Sequence, residues 1–188
     1  MRRAVYAGTF DPITAGHVSV IERARTLFEQ VIVVIAVNPD KSPLFSVAER
    51  LALIQTATAH LSGIEATATE GMVVHLARTL EAPVLIRGVR SVTDAAYELE
   101  LSRQNLALAP EVQTIFLPAE PTMADISSSR LKELARQGRL PSDLCPAGVL
   151  EALQHRLGSI PWLEGTQVEG TQVEGTQVEG TQVSASWL

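Results

Sequence analysis

The segment Gly8-Thr9-Phe10-Asp11-Pro12-Ile13-Thr14-Ala15-Gly16-His17 gathers residue types that handle phosphate. A short apolar run, Ala4-Val5-Tyr6-Ala7, precedes it and reads as a strand. The residues after it, from Val18 to Phe28, carry the apolar spacing of a helix. A strand, a turn containing Gly and Thr, and a helix opening on histidine form a site for an anion. The first N–H groups of a helix have no intrahelical partner, and the positive end of its dipole lies there. His17 adds a donor at the same point, with Thr9 and Thr14 beside it.

Three further groups could meet anions, and the first two stand just after apolar runs. Lys41, in Asn38-Pro39-Asp40-Lys41-Ser42-Pro43, is either a solvated loop lysine or a point charge that reaches phosphates. Arg87-Gly88-Val89-Arg90 places two planar, multi-donor cations around a glycine, on what reads as a flexible turn. Ser127, Ser128 and Ser129 precede Arg130-Leu131-Lys132-Glu133. Serines at a helix start cap it, and a run of them adds a second anion site. On the helix after Arg90, Glu98 reads either as an acceptor for a ribose or base or as an ordinary exposed carboxylate.

These groups need strands that end at one edge. Strands are expected over 3–7, 31–37, 64–69, 84–86 and 114–117. Helices are expected over 17–28, 47–59, 72–80, 92–108, 128–136 and 147–157. Ser46 to Glu49 fits a capping box, and Ser91 to Asp94 approximates one. The run 31–37 is apolar at every position, as in a strand covered on both faces. The alternation predicts an α/β fold: a Rossmann-like, doubly wound parallel five-stranded sheet with helices on both faces. Ligands in such folds bind beyond the carboxyl ends of the strands, near the switch point.

Of 188 residues, 46% are hydrophobic, enough for one domain with a core, and the net charge of −6 speaks against broad nucleic-acid or membrane-surface binding. Cys145 is the single cysteine, and the longest apolar run is too short to span a bilayer. With no apolar signal core after Arg2 and Arg3, a cytoplasmic location is expected. His60, His75, His155 and Cys145 show no metal-ligand spacing or nucleophile–base pattern and read as structural. The sequence contains neither a Walker-type P-loop nor G-x-G-x-x-G.

Residues 1–158 read as one domain and 159–188 as a separate tail. Within the tail, 164–183 are four copies of Glu-Gly-Thr-Gln-Val. One valine per repeat cannot build a core, so disorder is expected. The alternatives are an interaction tail anchored by Trp162 and Trp187, or repeat expansion without function.

Taken together, these motifs resemble the T/H-x-G-H nucleotidylyltransferase superfamily, and more closely the bacterial phosphopantetheine adenylyltransferase family. The resemblance rests on the Gly8–His17 segment, Asn38-Pro39 with Lys41, Phe45 with Glu49-Arg50, Arg87-Gly88-Val89-Arg90, Tyr97-Glu98, Asn105, and Ile126–Ser129 with Lys132-Glu133. It implies transfer of AMP from ATP to 4′-phosphopantetheine, giving dephospho-CoA and pyrophosphate. It also implies Mg²⁺ carried mainly by the ATP phosphates and water, a homohexamer, and inhibition by CoA. By motif position, Thr9 and His17 would contact the transferring phosphate. Lys41 and Arg87 would hold phosphopantetheine with Thr9 and the backbone near Val73. Phe10, Gly88, Val89, Arg90, Glu98, Ser127, Ser128 and Ser129 would line the ATP site. Lys41 and Arg90 join His17 and Thr9 as expected catalytic groups. The chain departs from the family pattern at Met123-Ala124-Asp125, where an aromatic is usual, at Ala95-Ala96 and at Leu106. Asp125 near a triphosphate would repel it unless turned away or bound to metal.

Two other functions fit the same motifs: a nucleotidylyltransferase acting on nicotinate mononucleotide, and a catalytically silent nucleotide- or CoA-binding protein. The tail reading carries its own test. Deleting residues 164–188 is expected to leave turnover and thermal midpoint nearly unchanged, because the segment has little apolar surface to bury. A large loss of either would show that the repeats dock on the domain.

Overall fold

The computed structural model describes residues 2–158; the repeat tail lies outside the described residues. Five strands, β1 (Arg3–Gly8), β2 (Gln30–Ala36), β3 (Ile64–Thr69), β4 (Val84–Val89) and β5 (Gln113–Pro118), form one sheet in the order β3-β2-β1-β4-β5. Every pairing is parallel. The chain winds outward from β1 to β3, then returns to β4 on the other side of β1, so the switch point lies between β1 and β4.

The helices follow from the same alternation: α1 (Ala15–Leu27), α2 (Val47–Ala57), α3 (Val73–Thr79), α4 (Val92–Leu108), α5 (Ser128–Arg136) and α6 (Val149–Leu157). Side chains of β1 and β2 point alternately to two cores. Tyr6, Val31, Val33 and Ile35 pack with Val20, Ile21 and Ala24 of α1, Ile54 of α2, Leu131 of α5 and Leu153 of α6. Val5, Ala7, Ile32 and Val34 pack with Val74 and Ala77 of α3 on the opposite face. Full burial of one such aliphatic side chain stabilises by roughly 1.5–3 kcal/mol, so the central strands anchor the molecule.

Two boundaries differ from expectation in ways that matter for chemistry. Helix α1 begins at Ala15 rather than at His17, because Thr14 supplies the cap. Strand β4 does not stop at 86. It continues through Arg87, Gly88 and Val89, which pair with Phe116, Leu117 and Pro118 of β5. These residues therefore lie on a hydrogen-bonded strand, not on a flexible turn. Because β4 pairs with β1 only at Val5–Leu85 and Tyr6–Ile86, the two central strands part beyond that point and open a cleft.

Asp11 ties three distant segments around this cleft. Its carboxylate is buried and accepts the N–H groups of Leu44 and Phe45, each at 2.9 Å, and the Lys132 ammonium at 2.8 Å. Burial pushes this carboxyl up, but the Lys132 bond and the two amide donors outweigh it, and its pKa lies below the ordinary carboxylate value. Arg50, also buried, donates to the Thr9 carbonyl at 2.8 Å, and Ser128 Oγ donates to the Pro12 carbonyl at 2.8 Å. The turn is thus held from α2 and α5 together.

Replacing Asp11 by Ala leaves two amides and a partly buried ammonium unpartnered. A loss of roughly 3–5 kcal/mol in urea unfolding is expected, as for one partner removed from a buried pair. A loss below about 1 kcal/mol, the size of an exposed ion pair, would contradict the structural weight given to it. The sign with pH follows: the carboxylate's contribution is present above the ordinary carboxylate range and is lost as pH falls through the lowered folded value.

Candidate active site at the carboxyl edge of the sheet

Each candidate group sits at the carboxyl end of a different strand. Val73 opens α3 after β3, Lys41 follows β2, Thr9 to His17 follow β1, Arg87 to Arg90 end β4, and Ser127 to Ser129 start α5 after β5. Beyond the parting of β1 and β4 lies a cleft of about 290 Å³. Its lining includes Thr9, Phe10, His17, Arg87, Gly88, Arg90, Glu98 and the three serines. Lys41, Val73 and Val89 do not line it. Lys41 is exposed with no side-chain partner among the described residues, Val73 is half-buried at the start of α3 against the core that holds Val5 and Ala7 of β1, and Val89 is the last residue of β4.

His17 is fixed by a reciprocal cap. Its backbone N–H donates to Thr14 Oγ1 at 3.3 Å, and the Thr14 backbone N–H donates to His17 Nδ1 at 3.1 Å. A backbone amide can only donate, so Nδ1 is an acceptor and the ring proton is on Nε2. Burial, then the nearby Arg90 charge, pulls the imidazole pKa down to about 4. The ring is therefore a neutral donor at neutral pH, aimed by the helix cap.

Aromatic packing holds the ring's other side. Phe10 meets the His17 ring edge-on at 5.0 Å between centroids and the Tyr6 ring at 5.4 Å. Phe10 reaches this place only with φ of 46°, a left-handed conformation that costs on the order of 1–3 kcal/mol for a residue other than glycine. Gly8 makes room for it: a Cβ there would stand 3.0 Å from the tip of the Phe10 ring.

The arginines are held by carboxylates from α4. Arg87 Nε and Nη2 grip the two oxygens of Glu98 at 2.6 and 2.5 Å, and Nη1 donates to the Ala7 carbonyl at 2.9 Å. Glu98 lines the cleft as expected of a nucleotide-site residue, but it is not the exposed carboxylate of the alternative reading: it is buried with both oxygens on Arg87. Arg90 donates its backbone N–H to Asp94 at 3.0 Å, and its side chain stands 3.8 Å from the same carboxylate. Asp94 reaches back to Arg90 rather than to Ser91, which is why the capping box expected there is incomplete.

The serine run divides its work. Ser127 caps α5 by accepting the Arg130 N–H at 3.1 Å, Ser128 is bonded to Pro12, and Ser129 lines the cleft. Asp125, which threatened repulsion, is exposed and outside the cleft lining, while Met123 faces it. Of the residues read as structural, His60 pairs with Glu22 at the surface at 3.0 Å, and burial raises the Cys145 thiol to about 11. Sequence reasoning did not single out Asp11 or the buried Arg50 as supports of the site.

The Gly8 geometry makes a specific demand. Gly8→Ala is expected to displace the Phe10 ring and with it His17. It should therefore lower turnover by at least about tenfold, since misplacement of a catalytic group by about 1 Å can cost a hundredfold. Unchanged turnover in a folded variant would show that the Phe10–His17 contact is dispensable.

Comparison with known proteins places this geometry in a family. The model of the cytidylyltransferase-like family matches residues 5–134. A phosphopantetheine adenylyltransferase of a Cyanothece species is 44% identical over 158 residues, covering 84% of this chain and 94% of that one. One from Thermosynechococcus vestitus is 46% identical over 151 residues, covering 80% and 90%. Among solved structures, a bifunctional NMN adenylyltransferase/ADP ribose pyrophosphatase from Francisella tularensis superposes with a TM-score of 0.61 at 13% identity. That match covers 85% of this chain and half of the other, and at this identity it establishes the shared fold alone. Relatives matched along nearly their whole length at this identity leave one assignment: the chain belongs to the phosphopantetheine adenylyltransferase family of cytidylyltransferase-like proteins.

Proposed function

We propose that the cleft transfers AMP from ATP to 4′-phosphopantetheine, forming dephospho-CoA and releasing pyrophosphate. The observation that carries this reading is a neutral, Nε2-protonated His17 held beside two arginines and a serine-capped helix start in one cleft. The acceptor phosphate is already an anionic nucleophile, so the reaction needs no strong base. One of its oxygens attacks the α-phosphorus in line, and the bond from that phosphorus to the pyrophosphate oxygen breaks. The barrier lies in bringing two polyanions together and in the charge that builds on the α-phosphate.

The chain's groups divide along these needs. His17 Nε2–H donates to the α-phosphate as charge develops, with Thr9 beside it. Arg87, Lys41 and the backbone near Val73 hold phosphopantetheine. Phe10, Gly88, Val89, Arg90 and Ser127 to Ser129 border the nucleotide, and Arg90 balances its phosphate charge. Glu98 is placed by resemblance at the nucleotide, and both its oxygens accept from Arg87. Mg²⁺ enters as part of the nucleotide substrate and neutralises phosphate charge. Among the described residues no group of three His, Cys, Asp or Glu could cage it. Asp94 and Glu98 are already engaged by arginines.

A homohexamer, CoA inhibition and a cytoplasmic place of work belong to the same reading. Self-association is supported by apolar side chains exposed on α4 and β5, Val92, Tyr97, Leu99, Leu106, Leu108 and Phe116. Among the described residues no helix is long and apolar enough to cross a membrane.

Two measurements test the chemistry. Pyrophosphate release with ATP, Mg²⁺ and phosphopantetheine is expected; release only with nicotinate mononucleotide would move the chain to the other acceptor class. Ligand binding without release would make it a silent binding protein. His17→Ala is expected to lower kcat by roughly 10²–10³ while ATP binding changes little, the effect of one transition-state donor. An equal loss of ATP binding would refute that role. Because the His17 pKa is lowered to about 4, its donor form persists above that value. The pH profile of kcat/KM, which reports the free enzyme, should therefore show no histidine inflection between about pH 6 and about pH 8.

A further inference from the structure

Helix α4 is 17 residues long, and Glu98 is the only buried residue on it. A carboxylate in that place is unusual, since buried faces are normally apolar and buried charges must be paired. It also lies at a cleft meant for polyanions, where an unpaired negative charge would oppose binding. Both problems are met by the fork-to-fork bond with Arg87.

Counting donors shows what the bond leaves. A guanidinium has five N–H groups. Nε spends its one on Glu98, Nη2 spends one of two on Glu98, and Nη1 spends one of two on the Ala7 carbonyl. One N–H remains on each terminal nitrogen. The plane and rotation of the guanidinium are fixed from two directions by protein groups, and two N–H donors remain for phosphate oxygens.

We propose that Glu98 is a positioning residue for the acceptor phosphate: it locks Arg87 so that its two remaining donors hold that phosphate in line for attack. This rests on the adenylyl-transfer reading and on Arg87 as the acceptor-phosphate ligand. Glu98 then serves the acceptor side of the cleft, although it is carried on the helix that borders the nucleotide side. Asp94, four residues earlier on α4, holds Arg90 more loosely, at 3.8 Å between the charged atoms. Orientation here is bought with net charge, because the carboxylate offsets the arginine. A purely electrostatic role predicts tighter phosphate binding once the carboxylate is neutralised. A positioning role predicts poorer turnover.

The test uses the full chain with Glu98→Gln, which keeps the size of the side chain, together with Glu98→Ala, Arg87→Lys and the double variant Glu98→Gln/Arg87→Lys. Wild-type turnover with phosphopantetheine is measured first. Its absence defeats the acceptor assignment, and the role of Glu98 is then read from binding of inorganic phosphate, which should weaken alike in Glu98→Gln and Arg87→Lys. With turnover present, Glu98→Gln is expected to lower kcat/KM for phosphopantetheine by about tenfold or more, with the ATP Kd within about twofold. The double variant should be no worse than Arg87→Lys alone, since both act through one guanidinium. A weakened ATP Kd with intact acceptor kinetics would make Glu98 a nucleotide contact and overturn the proposal. So would multiplied losses in the double variant, unchanged or improved acceptor kinetics, or a lower Tm with both substrates unaffected. If Glu98→Ala fails to fold, Glu98→Gln carries the same comparison.

Discussion

The Asp11 carboxylate is the point on which the site is hung. Its three donors come from 33, 34 and 121 residues away, so one small side chain fixes the phosphate turn, the entry to α2 and the start of α5 relative to one another. Arg156 on α6 reinforces the same region by bonding Glu49 and the Leu44 carbonyl and covering the Phe45 ring. Loops at the carboxyl edge of a parallel sheet would otherwise be the least ordered part of the fold. Here they are cross-tied by buried charge, which is costly to break and therefore geometrically exact in effect.

That frame turns ordinary local structure into chemistry. The cap of α1 serves at once as a helix start and as the device that sets the His17 tautomer, because the amide that would be orphaned at the N-terminus is spent on Nδ1. The parting of β1 and β4 opens the cleft, while continued pairing of β4 with β5 keeps Arg87 on a rigid strand instead of a turn. Site groups borne on strands and helix starts are held more closely than groups on loops. Lys41, exposed on its loop, is the exception among the proposed phosphate ligands.

Much of this was legible in sequence where the signal was local. The Gly8–His17 segment joins strand, turn and cap within a few residues, and the alternation of elements gave the sheet. Long-range pairings were not legible. Asp11 looks like any turn aspartate until Leu44, Phe45 and Lys132 are brought to it. Glu98 looks like an exposed helical carboxylate because its partner lies 11 residues earlier on another element. Arginine and glycine interrupt the apolar run of β4 after Ile86, which hides the strand's true end in the sequence; pairing with β5 overrides that local preference. The φ of Phe10 could not be read at all, since it follows from packing against Gly8, Tyr6 and His17.

The central claim is that the ligand-free fold already presents His17 as a neutral donor. ¹⁵N NMR of the labelled imidazole at neutral pH tests it most directly. The structure predicts a neutral ring with the proton on Nε2 and Nδ1 as the acceptor of the Thr14 amide, persisting until the pH approaches about 4. A ring protonated on Nδ1, or an imidazolium at neutral pH, would contradict the account.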